Sequence, residues 1–416
     1  MQTSRAETTM LLCCARLDAD PAVVHKMREL VQTGVNWDAF LYEAGRHRML
    51  PLAYRAVRKL ESHSVPAAII DSLTSQFRHV AQRNLQMTME MLRLIQVLEK
   101  EGIPVVPFKG PVLALSAFRD LGSRQFGDID LLTRRADLQR ARSVFMSLGY
   151  RLQLPLRESQ EADYIHSEHA FRFLKDDEEI AVELHWRLHD RRLAVRLETE
   201  ELWPRLKTER IWGRDILTFE AEDLLIYLCV HGAKHYWEHL EWICCLAYFI
   251  RTHSNLNWDV IIQRAEKLGV TRIVQLGLLL TSRLGVEPQS EAYLPFFKPD
   301  SITVSLAAIV WSEMFSGERL GPERELYRYT FFLKARERLS DRIRIAQRAT
   351  IRIPHPESRD WKNFPVPQGC DSLYYLVRPL RMLKDHGIVT LKSVLWPNAG
   401  SDVIPLSLQK KGQDTN

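Results

Sequence analysis

The stretch from Ile103 to Leu132, IPVVPFKGPVLALSAFRDLGSRQFGDIDLL, constrains the fold more than any other part of the chain. An apolar run ends in Lys109-Gly110, a short helical pattern follows, and a second apolar run carries Asp128 and Asp130. On a strand, residues two apart share a face, so the two acids point one way while Ile129 points into a core. Carboxylates held side by side repel each other, and a bound divalent cation relieves that repulsion. The pair is a candidate magnesium (or manganese) site. Lys109 and Gly110, at a strand-to-helix turn with free backbone N–H groups, form a candidate phosphate cradle.

A strand–turn–helix–strand order needs further strands and helices to cover it, and the flanks supply both. Residues 1–100 read as helices: Asp20-Pro21 is a cap followed by proline at the first helical position, and Asn36 caps a helix running to Arg46. Pro66 opens a long pattern through Ile69, Leu73, Phe77 and Val80 towards Leu98, stopped by Glu101-Gly102. After the acid-bearing run, Leu138, Ala141, Phe145 and Leu148 fall on one helical face. Three strand candidates follow, YRLQL, HAFRFL and EEIAVELHWRL. In the last, Ile180, Val182, Leu184 and Trp186 share a buried face, and Glu183, His185 and Arg187 share the other, like the wall of a cleft. From about 216 the chain is expected to be helical again, beginning with FEAEDLLIYLCVHGAKHYWEHLEWICCLAYFI, with a last helix from Ser372 to Asp385. The expected architecture is α+β: strands and helices together at 101–215, helical regions at 1–100 and 216–395, and a tail at 396–416.

With 416 residues, 46% hydrophobic and 26% charged, the composition is that of an ordinary globular protein. No apolar run approaches the roughly 20 residues that span a bilayer. The N-terminal segment is a poor signal peptide, so a cytoplasmic location is expected. The cysteines at 13, 14, 229, 244, 245 and 370 have no C-x-x-C spacing and read as buried thiols. A formal net charge of +5 suits a protein that handles phosphates and does not exclude nucleic acid.

The ordered segments FKG, RQFGDIDLL, VELHW and HGAKHYWEHLEW, with SLYYLVRPLRML near the end, resemble the uncharacterised bacterial nucleotidyltransferase family of the DNA polymerase beta-like superfamily. That resemblance implies a small mixed sheet with helices behind it, and metal-dependent transfer of a nucleoside monophosphate from a nucleoside triphosphate to an acceptor, with release of pyrophosphate. It implies that Asp128 and Asp130 bind the metal, and that Glu183 is the third carboxylate, arriving from a later strand. Lys109 and Gly110 stand where the superfamily usually has Gly-Ser or Gly-Gly. Cys245 stands where the family often has Asp, which leaves that position without an acid.

Around this set, Arg124 is a candidate partner for a phosphate or for Asp128, and His185 for substrate or Glu183. His231, Lys234 and His235 are expected on one helix that walls the nucleotide cleft, with Lys234 near the triphosphate. A zincin-like site there would need Glu after His231, where Gly232 stands. Lys334, Arg338 and Arg342, and Arg344, Arg348 and Arg352, step by four and suggest a basic helical stripe. Two competing readings share the acid pair: a glycosyltransferase using a DxD motif, and a non-catalytic binding scaffold. The acceptor, whether small molecule or protein, leaves no mark in the sequence.

Overall fold

The structure, a computed structural model, describes residues 5–16, 20–60, 64–175, 178–189, 194–195, 197–285, 298–316, 324–351, 358–367 and 369–381. The expected tail at 396–416 lies outside the described residues, as does the end of the last helix; the described part of that segment is helical over 374–381.

Local capping rules set the helical flank. The Asp20 side chain accepts from the Ala22 N–H at 2.9 Å to start α2 (Pro21–Thr33), which follows α1 (Arg5–Ala15). Asn36 does the same for Ala39 in α3 (Trp37–Arg46) at 3.0 Å. After α4 (Leu50–Val57), the 34-residue α5 (Ala67–Lys100) runs about 50 Å. Its first half lies among the N-terminal helices through Leu73, and its second half presents Met87, Met91, Leu94 and Leu98 to the sheet.

The sheet has five strands in the order β1-β2-β5-β4-β3. These are β1 (Val105–Pro107), β2 (Asp128–Thr133), β3 (Arg151–Leu152), β4 (Ala170–Lys175) and β5 (Glu178–His185). β2 pairs antiparallel with β1 and parallel with β5, and β4 returns antiparallel to β5. Between them lie α6 (Gly110–Phe118), α7 (Leu138–Ser147) and α8 (Glu158–Ser167). One face of the sheet is apolar: Ile129, Val182 and Leu184 pack with Phe145, Phe173, Trp186 and the end of α5. The mixed sheet with helices around it is the α+β core that the sequence implies.

A two-stranded hairpin, β6 (Lys207–Ile211) and β7 (Arg214–Thr218), leads into the C-terminal helices. These are α9 (Ala221–Lys234), α10 (Leu240–Thr252), α11 (Trp258–Leu268), α12 (Thr271–Ser282), α13 (Ser301–Met314), α14 (Arg324–Ala335), α15 (Leu339–Ile351) and α16 (Ser358–Asn363). They share one apolar core with the N-terminal helices, in which Met10, Phe40 and Leu52 join Cys244, Phe249 and Ile273.

Several expectations change. YRLQL forms only the two-residue β3, and neither α8 nor the hairpin was expected; four of the five β6 residues are exposed, so alternation gave no signal there. The helix carrying His231 ends at Lys234, with His235 as its cap, and Tyr236 and Trp237 adopt positive φ before α10. The reason is Trp237, which is fully buried and folds back over Gly232: a Cβ at Gly232 would sit 2.5 Å from the indole. Glycine at 232 is therefore a packing requirement, which accounts for the missing zincin glutamate. The basic stripe is also broken, because Arg338 lies between α14 and α15 and donates to the Glu266 and Lys267 carbonyls at the end of α11. Arg344 pairs with Asp341 at 2.7 Å, and the side chains of Arg348 and Arg352 lie outside the described residues.

Candidate active site

Register sets the spacing of the acids. Parallel pairing of β2 with β5 puts Asp130 beside Glu183 and Leu132 beside His185, with Asp128 one step back on the same face. Gly110 brings Lys109 over this face. It adopts φ +52°, where a side chain is strained, and a Cβ there would lie 3.3 Å from the Asp128 carbonyl oxygen. From that turn the Lys109 Nζ reaches Asp130 Oδ1 at 2.9 Å.

His185 Nε2 donates to the same Asp130 oxygen at 3.0 Å and lies 3.4 Å from Glu183 Oε2. Its Nδ1 faces the Arg187 carbonyl at 3.3 Å. Both ring nitrogens thus face acceptors, which favours the imidazolium. Burial alone would lower the His185 pKa, but Asp130 and Glu183 outweigh it and hold it up. Arg172 Nη1, from β4, pairs with Glu183 at 2.9 Å and lies 3.7 Å from Asp128. Three carboxylates are thus matched by Lys109, His185 and Arg172.

The environments of the acids differ. Asp130 is buried, which by itself raises a carboxyl pKa, yet Lys109 and His185 hold it well below the ordinary range. Glu183 is also lowered, with burial opposed chiefly by His185. Asp128 goes the other way: burial, then Asp130 and Glu183, push it up to about 6 against Lys109 and Arg172. Its charged form is penalised in the fold, so the penalty is absent below the unfolded value near pH ~4 and complete above pH ~6. Asp128→Asn should therefore stabilise the metal-free chain by about 1 kcal/mol at neutral pH and by nothing near pH ~4. This figure is below the full shift because the side chain is 35% exposed and screened. Urea unfolding with chelator at both pH values measures it, and an equal gain at both would refute the assignment.

Aromatic rings close the site. Lys109 Nζ lies 5.5 Å from the Phe108 ring centre and 5.8 Å from that of Tyr227 on α9. Lys234, at the end of α9, contacts His169 at 3.3 Å, whose ring lies 5.6 Å from that of His185. His231 is held well below its ordinary pKa by burial, with Lys109 and His235 adding to the effect. Its ring is 4.7 Å from that of His235.

Arg124 does not pair with Asp128. Its Nε meets Glu241 Oε1 at 2.7 Å in the interior, and Asn84 holds its carbonyl at 2.7 Å. The Cys245 thiol donates to the same Glu241 oxygen at 2.9 Å, and burial keeps it protonated. An acid thus stands one turn before the position where the resemblance placed one. Arg124, Lys109 and His231 all line a small cavity beside the acid cluster.

Of the residues expected from sequence, Lys109, Gly110, Asp128, Asp130, Glu183 and His185 converge; Lys234 approaches through His169, and Arg124 reaches Lys109 only across that small cavity. Sequence reasoning missed Arg172, Tyr227, His169 and Glu241. Arg172 was findable, since it is on the polar side of the alternation in HAFRFL. Glu241 is a lone acid on an apolar helix face and was findable too.

Among the described residues, the ligand atoms of Asp130, Glu183 and His185 lie within 4.8 Å of one another, a grouping that could hold a metal ion, with His185 as a ligand only once it has lost its proton. Asp130 Oδ2 is buried with no hydrogen-bond partner, and the oxygen-rich donor set suits a hard divalent cation. The residues fit the group.

Residues 33–285 match the family described as uncharacterised nucleotidyltransferase. The chain belongs to this nucleotidyltransferase family. The matched span contains the five-stranded sheet, the acid cluster and α9, which carries His231. No curated protein and no solved structure matches the chain. No helix among the described residues is long and apolar enough to cross a membrane.

Proposed function

We propose that the chain transfers a nucleoside monophosphate from a nucleoside triphosphate to a hydroxyl of a small-molecule or protein acceptor, releasing pyrophosphate. The observation that carries this reading is the β2–β5 register, which sets Asp130 beside Glu183, with Asp128 on the same face and Lys109 above Asp130. Asp128, Asp130 and Glu183 would hold magnesium or manganese, which when bound neutralises phosphate charge and polarises the attacked phosphorus. Lys109 supplies a cation for the leaving phosphates, and Lys234 a second from across the cleft. Glu183, ionised beside His185 and Arg172, either holds the metal that activates the acceptor hydroxyl or takes its proton. The acceptor oxygen forms a bond to the alpha phosphorus, the bond from that phosphorus to the bridging oxygen breaks, and pyrophosphate leaves.

Incubation with alpha-labelled and gamma-labelled ATP and GTP, magnesium and a cell lysate tests this. Alpha label is expected on an acceptor, and gamma label only in pyrophosphate. Gamma label on an acceptor would indicate phosphoryl transfer. Transfer of sugar from a nucleotide sugar, with ATP untouched, would favour the DxD glycosyltransferase reading. Tight nucleotide binding without any product would favour the scaffold.

A further inference from the structure

A cavity of about 240 Å³ lies on the far side of Phe108 from the acid cluster, lined by β1, α6, the β6–β7 hairpin, the start of α9 and the end of α10. Phe108 is the shared wall: its ring meets the His185 ring at 5.0 Å and stacks on Phe219 at 5.6 Å, and all but about 1% of its surface is buried. Three features of the lining point to a ligand. Phe108, Phe219 and Phe249 supply an apolar floor. Thr218 is 3% exposed, yet its Oγ1 has no hydrogen-bond partner among the described residues, an arrangement that is unfavourable unless something enters to satisfy it. The rim carries Glu209, Glu220 and Glu222 against one cation, Lys207.

Two of those acids have structural duties. Glu220 pairs with Arg264 at 2.7 Å and Lys207 at 3.4 Å, and Glu222 accepts from the Asn257 N–H at 2.9 Å; both also suit the start of α9. Glu209, across the cavity on β6, has no ion-pair partner among the described residues. We propose that this cavity is a second small-molecule site that takes an organic amine. Its apolar body lies against the phenylalanine floor, and its ammonium, with three N–H donors, meets both Glu209 and the Thr218 hydroxyl. The site is distinct from the nucleotide cleft, and its occupant presses on the ring that backs His185.

Calorimetric titration of the full chain with 3-phenylpropylamine, 3-phenylpropanol and 3-phenylpropionate separates charge from shape. The amine is expected to bind about tenfold more tightly than the alcohol, because its contact is charge-assisted, and the acid not at all. Glu209→Gln, at an exposed strand position, and the near-isosteric Thr218→Val should each weaken amine binding about fivefold while leaving the melting temperature near that of the parent. Asp128→Asn should leave amine binding unchanged. Equal affinity for alcohol and amine, no amine binding, or wild-type binding by Glu209→Gln would overturn the proposal. So would loss of binding in Asp128→Asn, which would place the amine at the acid cluster. Nucleotide transfer enters none of these readouts, so the amine site and the proposed reaction fail independently.

Discussion

Asp130→Asn is expected to lower pyrophosphate release by on the order of 10³-fold and to remove metal-dependent strengthening of ATP binding. This carboxylate is where the cluster converges: Lys109 and His185 both contact its Oδ1, and its Oδ2 is the buried oxygen left without a hydrogen bond. Asparagine keeps the shape and loses the charge. Turnover and calorimetry, with magnesium and with chelator, measure the effect, and turnover within tenfold of the parent would sink the proposed role. The same change should also reduce stability, because Lys109 then lies buried beside a neutral amide. Sequence alone suggests that neutralising both aspartates together relieves repulsion. The structure divides the pair, since Asp128 is the strained acid and Asp130 the compensated one.

The largest expected effect on stability is at Glu241. Its side chain is 2% exposed and that of Arg124 is 8% exposed, so Glu241→Ala strands a guanidinium in the interior. A loss of about 3–5 kcal/mol is expected, read from the urea midpoint. Replacing both partners, Arg124→Leu with Glu241→Leu, should recover most of it, because no charge is then left buried. If the single and double variants unfold at the same urea concentration, the pair is not what makes Glu241 costly to remove.

How much of this was legible depended on whether the signal was local. The Asp20 and Asn36 side chains are read by neighbouring backbone groups, and those helices lie where capping rules put them; the Pro66 start has no side-chain cap and rests on the fixed φ of proline. The alternation in DIDLL and EEIAVELH fixed which residues share a face, because a buried opposite face admits one arrangement. Alternation cannot say which strands are neighbours, so Arg172 could be placed on a polar face but not against Glu183. The break after Lys234 was hidden because it is caused by the indole of Trp237 filling the space above Gly232, not by a turn residue. The partner of Arg124 was hidden because Glu241 is 117 residues away and meets it only once α10 docks. The polar, solvent-facing β6 has no pattern to read.

The pairing of β2 with β5 acts as a ruler. The distance from Asp130 to Glu183 is set by neighbouring backbones, and the apolar faces of both strands police the alignment. A slip by one residue would bring Val182 beside Asp130 and turn Glu183 towards Phe145 and Phe173, a burial error no small adjustment could hide. Aliphatic exchanges at Ile129, Val182 and Leu184 that keep volume and patterning therefore preserve the register that spaces the carboxylates.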